Sequence, residues 1–193
     1  MNRTLPVALL LVLCATVLSA GQDALPTPPV FEPAQLEGEK GPYLIGPLTR
    51  DGWKAFAPEL QPEYADYEPS PDLVRALSYS RRDVTITCVL GTWCSDSRRE
   101  VPRFWKLLDL IDVPDLELVM LAVGRTDAPE AAVWLDDNGV APGYRERFAI
   151  EFVPTFIVTE DGVEIGRIIE TPEISLEADL AAILGVQATP AWH

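Results

Sequence analysis

The chain has 193 residues, 48% of them apolar and 23% charged, which is enough for one domain with a proper core plus extensions. Its formal charge of −15 argues against a nucleic-acid partner and implies repulsion of anionic membranes. A lone histidine, His193, at the last position leaves Cys–His catalysis and His-built metal sites without support.

Residues 1–21 read as a secretory signal peptide. Arg3 supplies a positive start, Leu5 to Leu18 is almost wholly apolar, and Ser19, Ala20 and Gly21 are small. The apolar run falls short of the roughly 20 residues a membrane-spanning helix needs, so no membrane association is expected after cleavage; the alternative is that the segment is kept as an uncleaved anchor. Leu13 before Cys14 is too bulky for a lipoprotein acceptor. Removal of Arg3 leaves 14 basic and 30 acidic residues, a net −16. The expected location is therefore outside the cytoplasm, periplasmic or extracellular.

Residues 22–42 are rich in Pro, Glu and Gly and read as a linker or extended arm. Residues 43–70 form an N-terminal extension packed on the domain. Within it, Tyr43 to Thr49 reads as a short strand. Thr49 caps a helix through Phe56, with Trp53 and Phe56 on one face. ELQPEYADYEPSP, Glu59 to Pro71, reads as an irregular loop held by its tyrosines.

The main domain spans residues 71–185, followed by a tail at 186–193. Asp72 to Ser80 has helical spacing of Leu73, Ala76 and Leu77. VTITCVL, Val84 to Leu90, is a β-branched buried strand. Ser95 to Leu110 is a helix with Val101, Phe104, Trp105 and Leu108 on one face. Leu116 to Val123 is a second buried strand, and Ala128 to Asp137 a helix ended by Asn138-Gly139. Asp161-Gly162 turns Thr155–Thr159 back into Val163–Ile169, a hairpin. Glu173 to Leu184 is the last helix. Strands alternating with helices imply an α/β fold whose mixed central sheet is covered on both faces.

Cys94 falls where a strand ends and a helix begins. The first-turn N–H groups of a helix favour thiolate over thiol, and so do Arg98 and Arg99, whereas Asp96 opposes them. The alternative is a small cysteine that merely packs. Cys88 has two readings, a buried core thiol or a displaced resolving thiol. Disulfide geometry disfavours the second, because Cα atoms must approach within about 7 Å. Arg98, Arg99 and Arg103 read as a solvated helix face. Trp134, Asp136 and Asp137 are candidates for a cleft rim or plain surface. The acidic residues show no metal-ligand spacing.

GTWCSDSRREVP, Gly91 to Pro102, resembles the active site of the thioredoxin superfamily, in which a Trp-Cys-x-x-Cys motif joins a central strand to a helix. Trp93 and Cys94 match the tryptophan and the attacking cysteine, and Pro102 the proline of that helix. Val153-Pro154-Thr155 resembles the family's cis-proline segment, whose backbone pairs with a substrate strand. The wider WCSDSRREVPRF segment is similar to exported bacterial thioredoxin-like proteins. The resemblance implies a thioredoxin-like three-layer fold. It implies Cys94 as nucleophile, Trp93 as its shield, and Val153 and Pro154 as the dock for substrate. No cofactor is implied.

Two departures bear on function. Ser97 stands where the resolving cysteine belongs, and Cys88 where the family has a buried aspartate. A serine hydroxyl cannot displace sulfur, so the second half of dithiol turnover has to come from elsewhere. Ser97 is instead a candidate to tune Cys94. The expected function is single-cysteine thiol–disulfide exchange with protein thiols and disulfides or glutathione-like small thiols. The alternative is a non-catalytic binding or chaperone module. A thiol peroxidase, with its Thr-x-x-Cys spacing, fits less well because Thr92 is one residue too close to Cys94.

Overall fold

The structure, a computed structural model, describes residues 33–80, 82–111, 113, 116–125 and 143–187. The expected signal segment, the helix at 128–137, Trp134, Asp136, Asp137 and His193 lie outside the described residues.

Six strands form one mixed sheet in the order β1-β2-β4-β3-β5-β6. Its centre is β3 (Val84–Leu90), the β-branched run read from sequence. The helix α4 (Ser95–Ile111) carries the chain over to β4 (Leu116–Ala122), which lies parallel to β3. On the other side of β3, β5 (Thr155–Glu160) and β6 (Val163–Ile169) run antiparallel. The turn between them places Asp161 at φ 52° and Gly162 at φ 77°. Two successive left-handed residues match the twist of a tight hairpin, which is why Asp-Gly marks it.

The N-terminal strands are β1 (Ala34–Gly38) and β2 (Gly41–Pro47), a hairpin whose second strand meets β4 antiparallel through Gly46 and Pro47. The stretch read as a linker is thus strand from Ala34 onward. β1 is an edge strand held by backbone pairing to β2; its sequence AQLEG alternates only Ala34 and Leu36 with Gln35 and Glu37, too short a pattern beside a Pro-, Glu- and Gly-rich stretch to announce a strand. Thr49 caps α1 (Arg50–Phe56) as expected, its hydroxyl accepting from Gly52 N–H at 3.0 Å.

The segment expected to be an irregular loop is helical over Pro58–Leu60 and in α2 (Gln61–Asp66). Pro58 and Pro62 sit in first-turn positions, where a missing N–H costs nothing. The tyrosines do pack against the core, as read. Docking on α4 supplies the rest: Glu63 pairs with Arg103 at 2.7 Å, and Tyr64 Oη donates to Asp109 at 2.8 Å. α3 (Pro71–Ser78) follows. A short helix, α5 (Tyr144–Arg147), precedes β5 and was not apparent in the sequence. α6 (Leu176–Ile183) starts later than expected, because Ser175 caps it and Asp179 takes the N–H groups of Glu173 and Ile174.

Alternation along the strands divides the interior. Ile86, Cys88 and Leu90 of β3 enter a large core with Trp53, Leu77, Phe104, Trp105, Phe156 and Leu180. Val89 points the other way, into a smaller core with Leu121, Val123, Tyr144, Phe148, Val153 and Ile157.

Glu177 staples the N-terminal part to α6. Its buried carboxylate accepts from Tyr67 Oη at 2.5 Å and from Ser70 N–H at 3.0 Å. Burial alone would raise its pKa, but the hydrogen bonds from Ser70, Tyr67, its own N–H and Ser175 together outweigh burial. They hold it below the usual 4.5. A depressed carboxyl contributes stability that is present above the unfolded pKa and lost as pH falls through the folded one. Glu177→Gln is expected to cost about 1–3 kcal/mol at neutral pH. Urea midpoints measured from pH 7 to pH 3 should show the wild-type advantage shrinking below about pH 4. A pH-independent gap would contradict this account.

Candidate active site

β3 ends at Leu90, and four residues carry the chain into α4. Cys94 N–H donates to Gly91 O at 2.9 Å, and Cys94 O accepts the first bond of the helix, from Arg98 N–H at 3.0 Å. Cys94 therefore occupies the cap of α4, where backbone N–H groups lack partners within the helix. Gly91 N–H donates to Ser97 Oγ at 3.1 Å, closing the loop from its other side. A side chain at Gly91 would place Cβ 2.8 Å from the Trp93 ring, so glycine is what lets the indole fold back over the strand end. Trp93 Nε1 donates to Val123 O at 3.0 Å, which fixes the ring to the end of β4. Thr92 is buried and accepts from Leu44 N–H of β2 at 2.9 Å. Three strands and one helix thus hold a four-residue loop.

Cys94 is partly buried against the smaller core, with its Sγ 3.2 Å from Val153 O and in position to donate to it. The Val153–Pro154 peptide is cis. Thr155 Oγ1 donates to Phe152 O at 2.8 Å and Glu170 N–H to Pro154 O at 2.6 Å, pinning the segment at both ends. A cysteine capping a helix after a central strand thus faces the residue before a cis-proline. Around them lie a parallel β3–α4–β4 unit and an antiparallel β5–β6 hairpin followed by α6. The fold is thioredoxin-like.

No family model and no curated protein matches the chain. Among solved structures it is similar to a protein of unknown function from Pseudomonas aeruginosa at 20% identity. That match covers 69% of this chain and 74% of the other, with a TM-score of 0.44. A mutant thioredoxin from Halobacterium salinarum matches at 14% identity over 60% of this chain and 85% of its own, with a TM-score of 0.35. Trxlp from Edwardsiella tarda matches at 19% identity over 60% of this chain and 95% of its own, with a TM-score of 0.34.

The remaining residues singled out in sequence fall into place around this loop. Ser97 is fully buried, and its described hydrogen bond runs to Gly91. Cys88 and Cys94 are both free thiols. They lie on opposite faces of the sheet, Cys88 in the large core and Cys94 against the small one. Burial pushes the Cys88 thiol well up, towards its inert neutral form. The arginines of α4 are spoken for. Arg98 bonds Thr92 O and pairs with Glu59, Arg99 pairs with Asp96 and Glu100, and Arg103 pairs with Glu63. Among the described residues no group of three or more His, Cys, Asp or Glu converges as a metal site would require.

Two arginines at the site carry no local sequence signal. Arg125 lies over the Trp93 ring, its guanidinium carbon 4.6 Å from the centroid. Arg145, on α5, donates from Nη2 to Gly124 O at 3.3 Å, while its Nε is buried without a hydrogen bond. Burial lowers the Arg145 pKa, and the neighbouring charge of Glu146 opposes that shift. Its bond to Gly124 O places Arg145 one residue from Val123, whose carbonyl holds the Trp93 indole.

Proposed function

We propose that the protein is a thiol–disulfide exchange protein acting through Cys94 alone. The observation that carries this reading is the 3.2 Å contact between Cys94 Sγ and the carbonyl of Val153, the residue before cis-Pro154. It aims the sulfur at the segment where an extended disulfide-bearing chain would lie.

The step is an in-line displacement. The Cys94 thiolate attacks one sulfur of a disulfide, a Cys94–S bond forms as the original S–S bond breaks, and the other sulfur leaves as thiolate. The mixed disulfide is then released by an external thiol, whose attack frees the Cys94 thiolate. Ser97 cannot take that part, and Cys88 lies buried on the far face of the sheet. The signal-like start of the chain supports placing this exchange outside the cytoplasm, in a compartment where disulfides persist.

Intact mass after incubation with oxidised glutathione at neutral pH tests the reading. One glutathione adduct is expected, lost completely in Cys94→Ala and retained in Cys88→Ala. An adduct that forms without Cys94, or a loss of two hydrogens that needs both cysteines, would sink it. Failure of any adduct to form would favour a second reading, a thioredoxin-fold binding module. Phe152, 52% exposed beside the cis-proline, supports such a surface.

A further inference from the structure

The molecule is acidic overall, yet two arginines without an ion pair to any described carboxylate stand beside its Trp93–Cys94 loop. The chain as a whole is at −15. Most of its described arginines are neutralised by carboxylates: Arg50, Arg82, Arg98, Arg103 and Arg167 each face an Asp or Glu. Arg125, Arg145 and Arg147 make no ion pair with any described carboxylate, and of these Arg125 and Arg145 are held at the end of β4 next to the Trp93–Cys94 loop. Arg145 is tied to Gly124 O, and Arg125 is stacked on the indole that donates to Val123 O. The Arg145 Nε–H is buried with no acceptor, while the rest of the side chain is only partly covered. Glu146, the next residue, acts on Arg145 through its charge but forms no ion pair with it. A partly desolvated guanidinium whose N–H groups are not taken by a carboxylate attracts an anion more strongly than a solvated lysine would.

Resting on the exchange reading above, we infer that Arg145, aided by Arg125, recognises a carboxylate carried a few atoms from the sulfur of the exchange partner. The substrate class is a small acidic disulfide. The guanidinium orients the incoming disulfide through its carboxylate while Cys94 attacks the nearer sulfur, and the leaving thiolate departs with its own carboxylate. No additional oxidant is needed, because the incoming disulfide is the oxidant.

Three disulfides of similar size separate this inference from its foundation: dithiodipropionate (dianionic), bis(2-hydroxyethyl) disulfide (neutral) and cystamine (dicationic). Rates of mixed-disulfide formation at Cys94, each divided by the rate of the same disulfide with mercaptoethanol, remove intrinsic reactivity. An acidic protein steers cations towards itself, so without a local site cystamine would lead. The expected order is the reverse, with dithiodipropionate about tenfold ahead of cystamine at low ionic strength and the lead shrinking as salt is added. In Arg145→Gln the anion-to-cation ratio should fall below one, and Arg145→Lys should retain part of it. The ratio is taken within each variant, so a general change in Cys94 reactivity cancels. A cystamine lead in the wild type, or a ratio unmoved by Arg145→Gln, overturns the inference while reaction with the neutral disulfide keeps the exchange reading intact. No reaction with any of the three would overturn both.

Discussion

Replacing Ser97 with cysteine is expected to turn a stable glutathione adduct into a transient one. On the proposed exchange reading, the wild-type mixed disulfide at Cys94 waits for an external thiol. In Ser97→Cys a thiol three residues along the same helix start lies within disulfide reach, because Cα atoms at that spacing are about 5–6 Å apart. Attack becomes intramolecular, and release of glutathione should speed up by on the order of a hundredfold or more over millimolar external thiol. The product should be an internal disulfide between Cys94 and the introduced thiol, seen as the loss of two hydrogens in intact mass. The substitution carries a structural cost. Ser97 is fully buried and its oxygen accepts from Gly91 N–H at 3.1 Å. Sulfur is a larger and weaker acceptor, so a loss of about 1 kcal/mol is expected. An adduct as long-lived in Ser97→Cys as in the wild type would mean that the buried position cannot reach Cys94. The single-cysteine behaviour would then come from loop geometry rather than from the missing thiol.

That contrast shows what the sequence could and could not say about the site. Trp93, Cys94, Val153 and Pro154 are visible as two motifs, and the fold closes the gap of nearly sixty residues between them to a 3.2 Å contact. The role of Gly91 was not legible. Its N–H and carbonyl bracket the loop, and its missing side chain makes room for Trp93, yet nothing in a lone glycine announces either. Arg145 was equally silent, because its place at the end of β4, bonded to Gly124 O, comes from the packing of α5 and not from any local pattern. The same division runs through the fold. β3, β4 and the β5–β6 hairpin were readable because their side chains alternate or are continuously β-branched and the turn is Asp-Gly. β1 was not, because a backbone ladder with little burial asks almost nothing of its side chains. α2 was masked by prolines that break a helix in its middle but are tolerated at its start, and only docking onto α4 reveals which applies.

Trp53→Ala is expected to be the most destabilising single change outside the site, at about 3–5 kcal/mol. Trp53 is fully buried and meets Trp105 of α4 edge-on, with ring centroids 5.6 Å apart and planes at 88°. That geometry places the positive edge of one ring on the negative face of the other, worth about 0.5–1.5 kcal/mol beyond burial. Trp53→Phe separates volume from chemistry. Trp53 Nε1 is buried without a hydrogen bond, so phenylalanine removes an unsatisfied donor along with part of the ring, and a cost under about 1.5 kcal/mol is expected. Urea unfolding reads both, with midpoints shifting at constant slope if the molecule unfolds as one unit. A Trp53→Ala cost below about 1 kcal/mol, or two separate transitions, would make residues 43–70 a dispensable attachment. The hydrogen bonding argues otherwise. Leu44 and Leu48 of the same N-terminal segment share the core with Trp53, and Leu44 N–H holds the buried hydroxyl of Thr92, two residues before Cys94. Loosening α1 therefore reaches the Cys94 loop through β2. Trp53→Ala should broaden the reactivity of Cys94 towards alkylating agents even in native buffer, whereas Trp53→Phe should not.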